Sequence, residues 1–448
     1  MARDMRRAAS AEPERTALGR LLTLTVGAPA AGGTFVARHE GRVVFVRGAV
    51  PGETVVARLL EDAKNSAKAR FWRAETLEIL DPSPDRVPSV WPEAGTDGVG
   101  GAEWAHIGLH AQRRLATEVL QDLLRRAGVS TLATEEAQVE PAPHDTDGLG
   151  WRTRVRLTRG ADGLLGMRGW RSHEVHPVGE NPLAAEEIRA LGLPDLALPE
   201  AVEAVDAVAP SLGRPAVVLI GRGLPAGGVG ASGGLEVPQG LEDVDLAVQG
   251  PTGLTALSGD GMVAEEVLGR RFRVGATGFW QVHRQAPEVL TSVVLRDTEA
   301  REGDTIWDLF GGVGLFAAAL ADEVGSAGRV VSVEGDRRAG ALAEENLAAL
   351  PQASAETADV AAWVPAQEKD PDRVVVDPPR AGLGPELMAT LCARTRERIV
   401  YVSCEPSTLA RDLKAAEEAG WRVEDLRAFD LFPHTHHIES VAVLTRAA

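Results

Sequence analysis

The chain from residue 305 onward alternates short apolar runs with helical patterns, and this alternation constrains the fold more than any other feature. Apolar runs occur at 305–310, 329–334, 372–377 and 398–402, with helical patterns between and after them. Strands that alternate with helices form a mostly parallel sheet covered by helices on both faces. We therefore expect a doubly wound parallel sheet, and thus an α/β fold, over residues 271–448.

A glycine turn and an acidic residue follow the first two of these runs. The turn is Gly311-Gly312-Val313-Gly314, and Glu334 follows Gly314 by 20 residues. Glycine lets the backbone approach a ligand closely, and an acid at this spacing binds ribose hydroxyls. NAD(P) and S-adenosylmethionine both satisfy the pattern, so an NAD(P)-dependent oxidoreductase is one alternative.

The corner Asp377-Pro378-Pro379-Arg380 distinguishes between the two cofactors. It resembles the Asn/Asp-Pro-Pro-aromatic corner of methyltransferases that act on planar nitrogen bases. Arginine in place of the aromatic residue removes a stacking platform and makes amino-group methylation less favoured. The corner therefore favours S-adenosylmethionine as the cofactor.

Cys404 lies between the 398–402 run and a helical pattern that starts at Ser407. In open α/β sheets this crevice at the carboxyl ends of the strands binds ligands, and a helix N-terminus there favours a thiolate. Cys404 is therefore the candidate reactive thiol. Cys392, within an apolar helical pattern, is predicted to be a core residue.

The N-terminal part of the chain is rich in short strands separated by turn signals. We expect strands at 22–26, 34–38, 42–46, 54–60 and 71–80, after a flexible tail at 1–20. Five such strands are typical of a small OB-like β-barrel, which often binds single-stranded nucleic acid and is as often purely structural. Residues 88–270 are expected to form a mixed α+β central region, with a helix at 106–127.

Arginines alternate along 152–156 in the central region. Arg152, Arg154 and Arg156 are expected on one face of a strand, where they form either a phosphate track or a solvated face. The formal net charge of the chain is -18, which argues against nonspecific polyanion binding but does not exclude such local basic patches.

The composition also limits the cofactors and the compartment. Two cysteines exclude a disulfide scaffold and a four-cysteine metal or iron–sulfur site within the chain. His434, His436 and His437 lack the spacing of a metal-ligand pair on a helix, so we expect no metal. No segment has the apolar length of a membrane span and the first 20 residues lack a signal core, so a monomeric cytoplasmic protein is expected.

Taken in order, the motifs resemble the RNA 5-methyluridine methyltransferase family, which uses S-adenosylmethionine. The resemblance is carried by Phe279-Trp280-Gln281-Val282, Asp308-Leu309-Phe310 with Gly312 and Gly314, Asp377-Pro378-Pro379-Arg380, Ser403-Cys404-x-Pro406, and His436-His437-Ile438-Glu439. It implies that Cys404 is the nucleophile and Glu439 the base. It also implies cofactor contacts from Gln281, Phe310, Glu334, Asp359 and Asp377.

The N-terminal barrel resembles the TRAM domain, an RNA-binding module. The resemblance is carried by Gly32-Gly33, Val50-Pro51-Gly52-Glu53 and the segment 79–87 at the end of the block. It covers residues 21–87 and implies an RNA partner, either ribosomal or transfer RNA. Many relatives hold an iron–sulfur cluster through cysteines just after this domain, but residues 88–105 contain none. The resemblance leaves two further alternatives, a noncatalytic RNA-binding factor and a cytosine-5 enzyme, although the latter places a cysteine at the proline-containing corner.

Overall fold

The computed structural model describes residues 19–60, 69–95, 97–129, 131–224 and 237–447. The chain divides into two compact units, residues 1–88 and 89–448. The predicted tail at 1–20 lies almost entirely outside the described residues. No helix in the described ranges is long and apolar enough to cross a membrane.

The first unit is a closed five-stranded barrel. Its strands are β1 (Leu21–Ala30), β2 (Thr34–His39), β3 (Arg42–Arg47), β4 (Thr54–Leu59) and β5 (Phe71–Asp81), in the order β1-β2-β3-β5-β4. Leu22, Leu24 and Val26 of β1 alternate with exposed residues and fill the interior. The predicted five-strand OB-like barrel is confirmed.

A buried ion pair fixes the end of this unit. Glu53 is fully buried and accepts hydrogen bonds from Val50 N at 2.8 Å and from Arg86 Nη2 at 2.8 Å. Burial alone would raise the pKa of Glu53, but Arg86 and two backbone amides lower it. The segment after β5 is therefore held to the turn before β4, in agreement with a TRAM-like block that extends to residue 87.

The second unit contains two large sheets. Its elements begin with α1 (Leu109–Ala127), α2 (Leu132–Glu136), β6 (Val139–Pro141), β7 (Arg154–Arg159), β8 (Leu165–Arg168), β9 (Val175–Pro177), α3 (Glu186–Arg189), β10 (Ala204–Val208), β11 (Ala216–Ile220), β12 (Asp245–Gly250), β13 (Gly253–Ala256), β14 (Met262–Val267) and β15 (Arg270–Gly275). Strands β7 to β13 form a seven-stranded sheet, and β14 pairs with β15 in a hairpin.

The remaining elements build the larger sheet. They are α4 (Ala286–Thr298), β16 (Thr305–Leu309), α5 (Leu315–Val324), β17 (Arg329–Glu334), α6 (Arg337–Leu347), β18 (Ala353–Thr357), α7 (Val360–Ala366), β19 (Arg373–Val376), α8 (Pro385–Arg394), β20 (Arg398–Ser403), α9 (Pro406–Glu418), β21 (Trp421–Asp430) and β22 (Glu439–Arg446). The strand order is β18-β17-β16-β19-β20-β22-β21-β6.

The predicted doubly wound α/β fold is confirmed, and the sheet is parallel except at one edge. Strands β16 to β20 are parallel, but β22 runs antiparallel to both β20 and β21. The antiparallel direction follows from the connection between β21 and β22, which is too short for a parallel crossover. As a result, β22 starts at the sheet edge where β20 ends.

The predicted domain boundary at residue 270 does not lie between two compact units. Strand β6 pairs with β21, so residues from the predicted central region complete the C-terminal sheet. Val208, Val218 and Ala247 of the seven-stranded sheet share a hydrophobic core with α4 and α5. The central region and the C-terminal region therefore fold as one body.

Candidate active site

The candidate site lies at the carboxyl edge of the parallel strands. Strand order reverses between β16 and β19, and such a switch point opens a crevice beyond the strand ends. Ser403 pairs with Ser440, so the residue after Ser403 and the residue before Ser440 emerge at this same edge. The predicted proximity of Cys404 and Glu439 is confirmed.

Cys404 is half-buried between the end of β20 and the start of α9. Burial, followed by the charges of Glu439 and Asp377, raises the pKa of the thiol to about 11, while Arg380 opposes the shift. The thiol form of Cys404 is therefore favoured in the free protein, although the adjacent helix N-terminus by itself favours a thiolate. At this helix end the carboxylate of Glu405 caps α9 by accepting from Ser407 N at 3.4 Å, which offsets the positive charge of the helix terminus.

Cys392 differs from Cys404 in environment. It lies in α8, is 1% exposed, and burial raises the pKa of its thiol to about 12. Its predicted role as a core residue is confirmed.

Glu439 and Asp377 are acidic groups held in a poorly solvated crevice. Glu439 is 2% exposed, and burial together with Asp377 raises its pKa well above the usual value. Burial and the charge of Asp308 raise the pKa of Asp377 to about 7. Neither carboxyl side chain is hydrogen-bonded to any residue within the described ranges. Both groups therefore have unused hydrogen-bonding capacity, and a cationic ligand would lower the pKa of each.

Asp308 organises the glycine turn, a role that the sequence did not reveal. It is fully buried in β16, where Oδ2 accepts hydrogen bonds from Ala317 N at 3.1 Å and Ser332 Oγ at 3.2 Å. Oδ1 is buried without a partner, and burial raises the pKa of Asp308 to about 7. The sequence placed Asp308 within the motif before the glycine turn, as an acid inside an otherwise apolar strand, but did not indicate its contacts.

The turn itself presents open backbone to a ligand. Phe310 has a φ of +60°, an uncommon value for an aromatic residue and one often found at functional sites. A methyl group on Gly311 would place Cβ 2.1 Å from Ser332 Oγ, so only glycine fits there. Gly312 has a φ of +57° and open space around its α-carbon. The turn leads into the N-terminus of α5, an arrangement that binds anionic groups such as a carboxylate.

Glu334 and Asp359 lie together beside this turn. The carboxylate of Glu334 accepts from Gly312 N at 3.0 Å and from Asp336 N at 2.7 Å, which leaves one lone pair on each oxygen. Asp359 is exposed and caps α7 by accepting from Ala361 N at 2.8 Å. Ala358 N donates to the Glu334 carbonyl at 2.9 Å, which links the two predicted residues.

Gln281 lies in the loop before α4 and takes no part in the contacts around Glu334 and Asp359. Val282 O accepts from Thr153 N at 2.8 Å and from Thr153 Oγ1 at 3.0 Å, so the loop is fixed to the central region. No hydrogen bond in the described parts of the chain links the Gln281 side chain to the other six predicted site residues. Phe279, two residues earlier, is 74% exposed.

The histidines near the C-terminus belong to a charge network that includes Glu103, another residue that the sequence did not reveal. Nδ1 of His436 lies 3.2 Å from Oε2 of Glu103. Burial alone would raise the pKa of Glu103, but His436 lowers it to about 2. Nε2 of His437 lies 3.4 Å from Nη2 of Arg380, and burial lowers the pKa of His437 to about 3. Among the described residues, no group of three His, Cys, Asp or Glu side chains is arranged to hold a metal ion.

The predicted alternation of Arg154 and Arg156 with buried residues is observed along β7, and both arginines make contacts within the protein. Nη1 of Arg154 donates to Gly278 O at 2.9 Å, and its other guanidinium nitrogens are buried. Arg156 forms two hydrogen bonds of 2.6 Å with Asp206 on the neighbouring strand. Arg152 lies outside β7, where burial lowers its pKa and the charges of Glu103 and Arg380 also act on it. Two of the three arginines are therefore already engaged by groups of the protein itself.

Comparison with known proteins places this site in a family. A family model described as tRNA (uracil-5-)-methyltransferase matches residues 366–447, and a TRAM domain model matches residues 15–72. The chain is 40% identical over 445 residues to an RNA methyltransferase of Streptomyces avermitilis, covering 96% of this chain and 99% of the relative. It is 34% identical to an RNA methyltransferase of Bifidobacterium longum, covering 97% and 99%.

A solved structure has the same fold over almost the whole length. It is the Pyrococcus abyssi tRNA (uracil-54, C5)-methyltransferase in complex with S-adenosyl-L-homocysteine, with a TM-score of 0.69. The sequences are 22% identical, and the likeness covers 95% of this chain and 100% of the other.

The fold, the carboxyl-edge crevice and these relatives define an S-adenosylmethionine-dependent RNA methyltransferase. Within that class, the chain belongs to the RNA (uracil-5-)-methyltransferase family with an N-terminal TRAM domain. Membership of this family excludes two alternative functions. The glycine turn alone allowed an NAD(P)-dependent oxidoreductase, and the barrel alone allowed a noncatalytic RNA-binding factor. The sheet topology is consistent with excluding the oxidoreductase, because a dinucleotide-binding sheet has a further parallel strand at the position where this sheet has the antiparallel strand β22.

Proposed function

We propose that this enzyme methylates carbon 5 of a uridine in transfer or ribosomal RNA through a covalent bond between Cys404 and carbon 6 of the base. The observation that supports the proposal most is the meeting of Cys404 and Glu439 at the end of β20 and the start of β22. A thiol and a carboxyl group beside the open glycine turn are the two groups that this chemistry requires.

The chemistry explains why a thiol is needed. Carbon 5 of uracil is too weak a nucleophile to be methylated directly. Addition of the Cys404 thiolate to carbon 6 makes carbon 5 enolate-like. S-adenosylmethionine, when bound, supplies the methyl group that carbon 5 accepts.

Glu439 then completes the reaction. As a carboxylate it removes the proton from carbon 5, the double bond between carbons 5 and 6 re-forms, and the Cys404 sulfur leaves as a thiolate. The raised pKa of Glu439 suits this role, because a carboxylate in a poorly solvated site binds a proton strongly.

We assign the cofactor contacts to five residues around the crevice. Glu334 has free lone pairs for ribose hydroxyls, and Asp359 lies next to it for the adenine. Asp377 and Gln281 would contact the methionine part, and the turn that contains Phe310 would offer its amides to the cofactor carboxylate. The fit rests on the open space at Gly312 and on the unpaired carboxyl of Asp377.

The RNA target belongs to the same proposal. The Pyrococcus abyssi enzyme is described as acting on uracil 54 of transfer RNA, and the TRAM domain is a general RNA-binding module. We therefore propose transfer or ribosomal RNA as the substrate, a monomeric enzyme and a cytoplasmic location. A target base inside a helix has to be flipped out to reach Cys404.

Nucleoside analysis of RNA tests the proposal. Purified enzyme is incubated with S-adenosylmethionine and with unmodified transfer RNA or ribosomal RNA transcripts, and the digested nucleosides are identified by mass spectrometry. We expect 5-methyluridine with the wild type and with Cys392→Ala, and none with Cys404→Ala. Formation of 5-methyluridine by Cys404→Ala, or of another methylated nucleoside by the wild type, contradicts the proposal.

A further inference from the structure

The hairpin of β8 and β9 carries basic and aromatic side chains that the proposed chemistry does not use. Arg168, Arg171 and His173 are exposed around its tip, and Trp170 is half-buried. The guanidinium carbon of Arg171 lies 4.7 Å from the centroid of the Trp170 ring. The tip carries one acidic residue, Glu174.

These two arginines differ from most others in the second unit. Arg156, Arg189, Arg214 and Arg284 each pair with a carboxylate. Within the described ranges, neither Arg168 nor Arg171 lies within ion-pair distance of a carboxylate. On a chain with a net charge of -18, an exposed pair of uncompensated cations is a local exception.

The backbone at Arg171 is strained in a way that packing does not require. The turn is closed by a 3.1 Å hydrogen bond from Ser172 N to Gly169 O, and Arg171 occupies its third position with a φ of +50°. Such a position favours glycine, so an arginine there lowers stability. Because Arg171 is exposed, no buried contact compensates for this loss, and strain of this kind is typical of functional positions.

The hairpin is joined to the active-site region by short contacts. Gly100 N donates to Arg168 O at 2.9 Å, and Val99 forms a β-bridge with Gly169. Glu103 follows Gly100 by three residues, a span of at most about 11 Å. Glu103 pairs with His436, next to the His437–Arg380 contact beside Cys404.

We propose that the hairpin tip, residues 169–174 together with Arg168, binds the substrate RNA next to the target uridine. Arg168 and Arg171 contact phosphates, and the stacked Trp170–Arg171 pair offers a planar surface for a neighbouring unstacked base. This inference rests on the proposed function in that RNA is the substrate. It adds a binding surface outside both the TRAM domain and the crevice.

Binding measurements on full-length variants test the inference. The probe is a short fluorescein-labelled single-stranded RNA of mixed sequence, titrated without cofactor across a potassium chloride series and followed by fluorescence anisotropy. Arg168→Ala/Arg171→Ala should weaken binding at least about tenfold. The slope of log affinity against log salt should become shallower by about 1.4, because two phosphate contacts to a single strand are lost.

Two further variants make the result specific. Arg125→Ala/Arg126→Ala removes the same charge from the end of α1, where both side chains are exposed, and should bind as the wild type does. Arg171→Gly should weaken binding without lowering the melting temperature, because glycine suits the turn.

Wild-type affinity and salt slope in the double variant overturn the inference, as does an equal loss in the α1 control. Because the titration does not depend on methylation, it is independent of the nucleoside analysis. Loss of RNA binding without any 5-methyluridine formation by the wild type would leave the hairpin assignment standing and overturn the proposed function.

Discussion

Cys404, Glu439 and Asp377 occupy an environment that disfavours their charged forms. Burial and a neighbouring acidic group raise the pKa of all three, with Asp308 the neighbour that acts on Asp377, and Arg380 opposes the shift for Cys404. Perturbed pKa values of this kind cluster at functional sites.

The reactivity of Cys404 gives the first prediction. In a Cys392→Ala background, alkylation of Cys404 by iodoacetamide should still be accelerating at about pH 10, because the pKa of the thiol is about 11. Asp377→Asn removes a neighbouring negative charge and should accelerate alkylation at pH 8 by about tenfold. Mass spectrometry of the labelled peptide measures both rates, and an equal or slower rate in Asp377→Asn contradicts the electrostatic account.

Glu439 gives a prediction about stability. A carboxyl whose pKa is higher in the folded than in the unfolded state stabilises the fold fully below about pH 4.5, and loses that contribution as the pH rises through its folded pKa. Glu439→Gln cannot ionise and should therefore match the wild type at pH 4. At pH 8 it should be more stable by about 1–2 kcal/mol. Urea denaturation at the two pH values checks this, and a variant that is less stable at pH 8 contradicts it.

The sequence indicated the two residues proposed to carry the chemistry but not the residues that hold the site together. Cys404 and Glu439 were predictable because each adjoins an apolar strand in a recognisable motif. Asp308 and Glu103 act through contacts with residues distant in the chain, Ser332 and His436. Likewise, the roles of Arg154 and Arg156 depend on carbonyl groups and a carboxylate that only the tertiary fold brings near them.

At the scale of elements, helix α9 positions the loop that follows the Pro-Pro corner. Asp412 is fully buried and accepts from Leu383 N at 2.8 Å, Gly384 N at 3.2 Å and Tyr401 Oη at 2.8 Å. Thr408 Oγ1 donates to Arg380 O at 3.1 Å. The helix that starts beside Cys404 therefore also fixes the loop that carries Arg380.

Substitution of Asp412 should lower the free energy of unfolding more than removal of any one of the groups that donate hydrogen bonds to it. Asp412→Ala leaves two buried backbone amides without acceptors and should lower the free energy of unfolding by about 3 kcal/mol. Tyr401→Phe loses one hydrogen bond and should cost about 1 kcal/mol. Chemical denaturation measures both, and equal losses in the two variants contradict the anchoring role.

Most strands of the barrel and of the C-terminal sheet were predictable from periodicity, and two exceptions have physical causes. Strand β18 reads Ala-Ser-Ala-Glu-Thr, and no large apolar residue marks it because it lies at the sheet edge. The direction of β22 depends on how β21 and β22 pair, which a pattern of buried residues does not record. The barrel strands were clear because each alternates between interior and solvent.

At the scale of the whole molecule, the chain consists of a barrel and a larger catalytic unit, each with its own core. A chain lacking residues 1–88 should therefore bind S-adenosylmethionine as the full chain does, whereas its affinity for RNA should fall and depend less steeply on salt. Calorimetry and anisotropy titrations measure the two affinities. Unchanged RNA binding contradicts an RNA-binding role for the barrel, and loss of cofactor binding contradicts the independence of the two units.

The central claim is that Cys404 bonds to the base and Glu439 releases it. The most direct measurement is denaturing gel electrophoresis of enzyme incubated with S-adenosylmethionine and labelled substrate RNA. Glu439→Gln should accumulate a protein–RNA band that resists denaturation, because addition and methylation proceed while removal of the carbon 5 proton fails. Cys404→Ala and Cys404→Ala/Glu439→Gln should give no such band, and Cys392→Ala should behave as the wild type. A denaturation-resistant band in Cys404→Ala, or full turnover without any accumulated adduct in Glu439→Gln, would contradict the account.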